Sequence, residues 1–83
     1  PNPFNPATKI RFQIPAFVET TLGIVSLRIY DVAGNEISTL VDGELNPGTY
    51  EVEWNAGSYS SGIYFYRLTH PEFSITKTMV LVK

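Results

Sequence analysis

The amino-acid sequence predicts an all-β domain, an immunoglobulin-like antiparallel β-sandwich of six to seven strands. Several short segments alternate β-branched or aromatic residues with polar ones, at the period of two that a half-buried strand requires. Segments rich in Gly, Pro, Asn and Asp separate them at intervals of about 8 to 12 residues, and no stretch has a helical period. With 83 residues and 43% hydrophobic content, the chain can bury one core.

Composition excludes several classes of function. The net charge of −2 is small and the six basic residues are dispersed, so a nucleic-acid surface is not expected. Cysteine is absent, which excludes disulfides and thiolate metal sites. No apolar run has the length of a membrane span. A domain of this size also has little volume for an internal cavity, so we expect no enzyme, no cofactor and no metal.

A proline-rich lead opens the chain. Three prolines within residues 1–7 exclude a helix and favour an extended linker. A single sandwich domain is therefore expected over residues 8–83. The alternation at residues 8–14 predicts a first strand that buries its Ile and Phe side chains, and the irregular segment 16–23 predicts a polar loop.

A hairpin is predicted next. Alternation over residues 25–30 predicts the second strand, and the turn signal at residues 33–36 connects it to a short third strand at residues 37–41. Residues 42–48 are rich in Gly, Asn and Pro and end this strand.

The fourth strand contains the residue that the pattern most strongly assigns to the core. Tyr50, Val52 and Trp54 alternate with Glu51 and Glu53. Its aromatic face is expected to be buried and its acidic face to be solvated. Trp54 is the best single candidate for the core.

Two further strands are predicted after residue 61. Residues 62–68 form the longest β-branched and aromatic run, with an apolar face and a face that carries Arg67, which predicts a central strand between two neighbours. His70 and Pro71 predict a turn, and the final strand begins near Phe73. The end of this strand is apolar on both faces. The strand is therefore either buried on both sides or an edge strand that pairs with a further chain.

Side chains that could carry chemistry have simpler structural explanations. The two glutamates of the fourth strand would lie about 6.8 Å apart, as in inverting glycosidases, but we expect both on an open, solvated face. The single histidine, His70, is expected in a turn and not in a catalytic triad. Four acids in turns could bind calcium, although ordinary turn roles are favoured because they lack EF-hand spacing. They are Asp31, Glu36, Asp42 and Glu44.

The aromatic residues leave a second class of function open, a spacer or carbohydrate-contacting immunoglobulin-like module of an extracellular multidomain enzyme. Trp54, Tyr64 and Tyr66 fall on inward faces, which favours core packing, whereas Tyr59 is expected to be an exposed ring. An exposed aromatic row outside the core would favour this alternative.

Several segments together resemble a known family. They are PNP (1–3), YDVAGNE (30–36), TLV (39–41), PGTY (47–50), SGIYFYRL (61–68) and KTMVLVK (77–83). In this order and spacing they resemble the C-terminal sorting domain of type IX secretion cargo, over residues 1–83. A related family, the immunoglobulin-like domain of flagellar hook-capping proteins, shares the sandwich but not the export role.

The resemblance implies a function, a location and partners. Relatives are non-catalytic signals that direct an N-terminally fused cargo domain from the periplasm of a Bacteroidota-type bacterium to the cell surface or the medium. The type IX outer-membrane secretion machinery is the implied partner. A surface sortase is a second partner where relatives are cleaved after export.

The resemblance also implies which residues are recognised. The family's glycine-x-tyrosine element maps onto Gly62 and Tyr64, although Gly48 and Tyr50 fit the same pattern. Many relatives have a second basic residue where this chain has Thr78. A strand with an unpaired edge can be recognised by backbone pairing. The basic-apolar end of the family maps onto Lys77, Met79, Val80, Leu81, Val82 and Lys83.

Overall fold

A computed structural model describes residues 7–15 and 24–82, which form six β-strands. All ladders are antiparallel, and the described ranges contain no helix. The all-β prediction is confirmed, whereas the predictions for residues 1–6 and 16–23 fall outside the described residues. The strands are β1 (Ala7–Ile14), β2 (Val25–Tyr30), β3 (Glu36–Gly43), β4 (Gly48–Asn55), β5 (Gly62–His70) and β6 (Phe73–Leu81).

Two sheets form a sandwich-like arrangement. β1 and β4 make a two-stranded sheet, and the other strands make a four-stranded sheet in the order β3-β2-β5-β6. The predicted hairpin is the β2–β3 pair. The predicted central strand, β5, has β2 and β6 as its neighbours. β6 is therefore the outermost described strand of the larger sheet.

Period-two alternation in β1 and β4 separates a buried face from a solvated one. Lys9 and Arg11 are exposed and lie opposite Glu53 and Glu51, which are exposed as well. Opposite charges in such cross-strand pairs contribute about 0.2 to 1 kcal/mol each. The prediction that both glutamates lie on a solvated face is confirmed. The buried residues of β1 are Ile10, Phe12 and Ile14.

Trp54 is a central member of the aromatic core, as predicted. Its side chain is 2% exposed, and the ring centroids of Tyr59 and Tyr64 lie 5.5 and 5.4 Å from its own. The prediction that Tyr59 is an exposed ring is wrong, because it is half-buried and its hydroxyl donates a 2.9 Å hydrogen bond to the carbonyl of Ile37. Tyr59 lies in a turn, where alternation does not determine the direction of a side chain.

His70 organises the turn between β5 and β6. Its ring is buried and stacks on Phe73 with centroids 4.8 Å apart. Its Nδ1 accepts a hydrogen bond from the backbone N–H of Glu72 at 3.0 Å. The predicted turn role of His70 is confirmed, and the hydrogen bond satisfies a polar atom that burial would otherwise leave without a partner.

Candidate functional site

Most of the predicted recognition residues that the structure describes lie at one end of the β5–β6 ladder. In the register of the two strands, Gly62 lies opposite Leu81 and Tyr64 lies opposite Met79. Successive side chains of a strand alternate between faces, so Val80 points away from the core while Leu81 and Met79 point toward it. Folding thus brings together the two sequence segments that the family resemblance indicates.

The end of β6 exposes large apolar side chains on an edge strand. Val80 is 68% exposed, and Val82, directly after the strand, is 77% exposed. Leu81 between them is only 6% exposed and anchors the strand to the core. Among the described strands β6 pairs with β5 alone, so its other backbone edge is available to a further chain. Lys83 lies outside the described residues.

Lys77 occupies a different position on the same strand. It lies opposite Tyr66, in the row of β6 side chains that point toward the opposing sheet, and it is exposed. No carboxylate of the described residues forms an ion pair with it. An inward-pointing charge on an edge strand opposes indiscriminate strand pairing. Lys77 is therefore separate from the exposed valines and faces another surface.

The two glycine-x-tyrosine elements share one geometry. Gly48 and Gly62 open β4 and β5 with φ angles of +153° and +157°, in a region that other residues rarely adopt. Two residues later, the Tyr64 hydroxyl donates a 2.7 Å hydrogen bond to the carbonyl of Ser60. Tyr50 makes the equivalent bond, also to a carbonyl four residues upstream. Each element therefore fastens a turn to the strand that follows it.

The two glycine-x-tyrosine elements differ in the burial of their tyrosines, a difference that the sequence pattern does not predict. Tyr64 is 8% exposed and packs with Trp54, whereas Tyr50 is half-buried and stacks on Phe12. The structure therefore places the Tyr64 ring inside the core, beside the predicted recognition strand.

Removal of the Tyr64 hydroxyl tests this arrangement. Tyr64→Phe keeps the ring but removes the donor to Ser60, so we expect a loss of about 0.5 to 1.5 kcal/mol in unfolding free energy. Tyr50→Phe breaks the equivalent bond in a more exposed turn and should cost less. Urea denaturation measures both variants, and an unchanged midpoint for Tyr64→Phe would contradict the proposed structural role of its hydroxyl.

The four acids predicted to lie in turns do not form a common group, and the prediction is wrong for Glu36 and Asp42, which lie in β3. Within the described ranges no group of three or more His, Asp or Glu side chains is arranged to hold a metal ion. Asp31 closes its own turn, because Oδ1 accepts hydrogen bonds from the backbone N–H groups of Asn35 and Ala33. The Asn35 N–H is the main reason that the pKa of the Asp31 carboxyl lies below its ordinary value. Glu36 lies 3.6 Å from the guanidinium of Arg28.

The outer face of the larger sheet carries an aromatic pair that the sequence patterns do not indicate. Tyr30 lies opposite Phe65, and both rings are partly exposed. The guanidinium of Arg67 lies 5.3 Å from the centroid of the Tyr30 ring, and its Nε donates a 3.1 Å hydrogen bond to Thr76. Alternation assigns Phe65 and Arg67 to the outer face. Their contacts with Tyr30 depend on the register between β2 and β5, which alternation does not determine.

The fold and this site define a small β-sandwich module in which β6 is an edge strand among the described strands. The described residues include no helix long and apolar enough to cross a membrane. A family model described as a secretion system C-terminal sorting domain matches residues 1–83. The chain belongs to this family, and the resemblance seen in the sequence is confirmed.

Family membership defines the role of the domain in general terms. It is a sorting signal for type IX secretion, which is recognised by that machinery and leads to export to the cell surface or the medium. The family implies a bacterium of the Bacteroidota. No curated protein and no solved structure matches the chain.

Proposed function

We propose that the chain is a non-catalytic domain that delivers an attached cargo protein to the type IX machinery, which recognises the exposed end of β6. The observation that carries the proposal is the combination of a strand edge that has no partner among the described strands with two apolar side chains, Val80 and Val82, that are 68% and 77% exposed. Recognition by strand addition uses such an edge for backbone hydrogen bonds and the alternate side chains for specificity.

The recognition residues act in different ways under this proposal. Val80 and Val82 contact the receptor directly because they are exposed. Leu81 and Met79 hold the strand on the core, while the charges of Lys77 and Lys83 attract acidic groups of the receptor. The remaining two residues, Gly62 and Tyr64, position the strand because they start β5 and fix its turn.

The wider organisation of the protein is part of the proposal. Residues 1–7 would join the cargo to a sandwich at residues 8–83, since three prolines keep such a segment extended. A surface sortase would be a second partner for cargo that stays attached to the cell. Family membership supports both assignments, because relatives are fused to cargo and many are cleaved after export.

The carbohydrate-contacting module receives less support. Tyr30 and Phe65 form a pair on the outer face, but the described residues there do not form an aromatic row. Arg67 lies over the ring of Tyr30 and occupies one of the surfaces that a sugar would need.

A fusion experiment tests the proposed export role. A fluorescent reporter joined to the N-terminus of residues 1–83 should appear outside the cell in a Bacteroidota host with a working type IX system. The same fusion should remain inside a matched strain that lacks the outer-membrane component of that system. Equal export from both strains, or retention of a folded fusion in both, would contradict the proposal.

A further inference from the structure

A groove of about 410 Å³ lies between β1 and the inner face of the β5–β6 ladder. Its floor consists of alternate residues from two neighbouring strands, Tyr66 and Leu68 of β5 and Ile75 and Lys77 of β6. These side chains share one face of the sheet. Ile75 remains 43% exposed although it points toward the opposing sheet. This part of the inner face is therefore not covered by the described part of β1.

The wall of the groove is formed mainly by β1. Arg11, Phe12 and Gln13 are consecutive, and all three line the groove although neighbouring side chains of a strand point to opposite faces. The groove therefore runs along the backbone of β1, and it is also lined by Pro15 and by Thr49 of β4, the register partner of Gln13. β1 pairs with β4 alone among the described strands. Its other edge carries backbone donors and acceptors that a further strand can use.

The groove also has a charge preference. Lys77 is exposed, its register partner is Tyr66, and no carboxylate of the described residues pairs with it. Arg11 also lines the groove, but it lies opposite Glu51 of β4, so Lys77 is the charge that sets this preference. Because Lys77 is exposed, its attraction for a carboxylate is modest and weakens as the salt concentration rises. A negatively charged occupant fits this surface, and a positively charged one does not.

We propose that the groove accepts an extended, acidic segment of a partner protein, which pairs with the edge of β1 as a third strand and places one carboxylate against Lys77. Its apolar residues two positions away from the acid would contact Ile75 and Phe12, since alternate residues of a strand face the same surface. Because this surface is distinct from the exposed valines of β6, the interaction goes beyond the export role proposed above and does not require it.

Synthetic peptides test the proposed occupant directly. The probe is the blocked peptide Thr-Val-Thr-Glu-Thr-Val-Thr, and a version with Lys in place of Glu is the charge control. In amide-resolved NMR titrations of the 83-residue chain, the Glu peptide should shift the amides of residues 11–13 and 77 and should bind at least about fivefold more tightly than the Lys peptide. N-methylation of alternate peptide nitrogens on the β1-facing edge should abolish the shifts at residues 11–13.

Charge reversal in the protein provides the matched test. Lys77→Glu should lower the affinity for the Glu peptide at least about fivefold and raise the affinity for the Lys peptide. Lys9→Glu changes a basic residue of β1 that does not line the groove, and it should leave the affinity within about twofold. Three results would overturn the proposal. They are equal affinity for the Glu and Lys peptides, chemical-shift changes confined to residues outside the groove, and no binding at millimolar peptide concentration.

Export assays separate this interaction from sorting. A Lys77→Glu chain that loses peptide binding but exports a fused reporter normally would leave the groove proposal intact and remove Lys77 from the sorting residues. Lost export with unchanged peptide binding would assign Lys77 to sorting alone and would contradict the groove proposal.

Discussion

Trp54→Ala is expected to lower the unfolding free energy by about 3 to 5 kcal/mol. The indole is 2% exposed and contacts the rings of Tyr59 and Tyr64. Its removal loses those contacts and leaves a cavity that the surrounding strands can fill only in part. A small domain has about 5 to 10 kcal/mol of total stability, so the variant should be partly unfolded at moderate temperature.

The adjacent residue supplies the control for this prediction. Glu53 points to the solvated face of the same strand, so Glu53→Ala should change the stability by less than about 0.5 kcal/mol. Trp54 is the only tryptophan, and circular dichroism during urea denaturation is therefore a better measurement than indole fluorescence. A wild-type midpoint for Trp54→Ala would show that the indole does not hold the sheets together.

The double variant Val80→Asp and Val82→Asp is expected to reduce export of a fused reporter at least about tenfold, which corresponds to about 1.4 kcal/mol of lost recognition energy. Both valines are mostly exposed, so the fold does not depend on burying them. A receptor that covers this edge would have to desolvate two carboxylates, which is costly without matching cations. Export should fall although the domain remains folded.

A second exposed valine provides a matched comparison. Val32 lies in the turn after β2 and is 71% exposed, so Val32→Asp changes the same side chain at a position that is separated from the β6 edge by β5. The Val32→Asp fusion should be exported to the same extent as the parent fusion. Thermal denaturation of all three proteins separates recognition from stability. Deletion of residues 81–83 is a weaker test because Leu81 is buried and its loss would also unfold the strand.

Two outcomes would contradict the assignment of the β6 edge. Normal export of a folded Val80→Asp and Val82→Asp double variant would show that the machinery does not contact these side chains. An equal loss for Val32→Asp would show that any added surface acid impairs export, so the position of the valines on the edge would not matter.

Local patterns were sufficient to identify the strands and much of the core. The alternation of Tyr50, Val52 and Trp54 with two glutamates predicts a half-buried strand, and Trp54 is buried as expected. Similar reasoning identified β5 as a central strand, while Pro71 indicated the turn that begins at His70. These predictions hold because a side chain's face within a strand depends on its position along that strand.

The sequence by itself determined the strand segments, the faces of most of their side chains and, through the resemblance, the family. Only the tertiary structure decided that Tyr59 packs on Trp54, that Tyr30 meets Phe65, and that residues of β1 line one groove with Lys77. The last two cases join strands that are distant in the chain, and the first depends on a turn, where alternation does not determine the direction of a side chain. Period-two alternation determines which face a residue occupies, but the order and register of the strands, set by packing of the whole core, determine what that face meets.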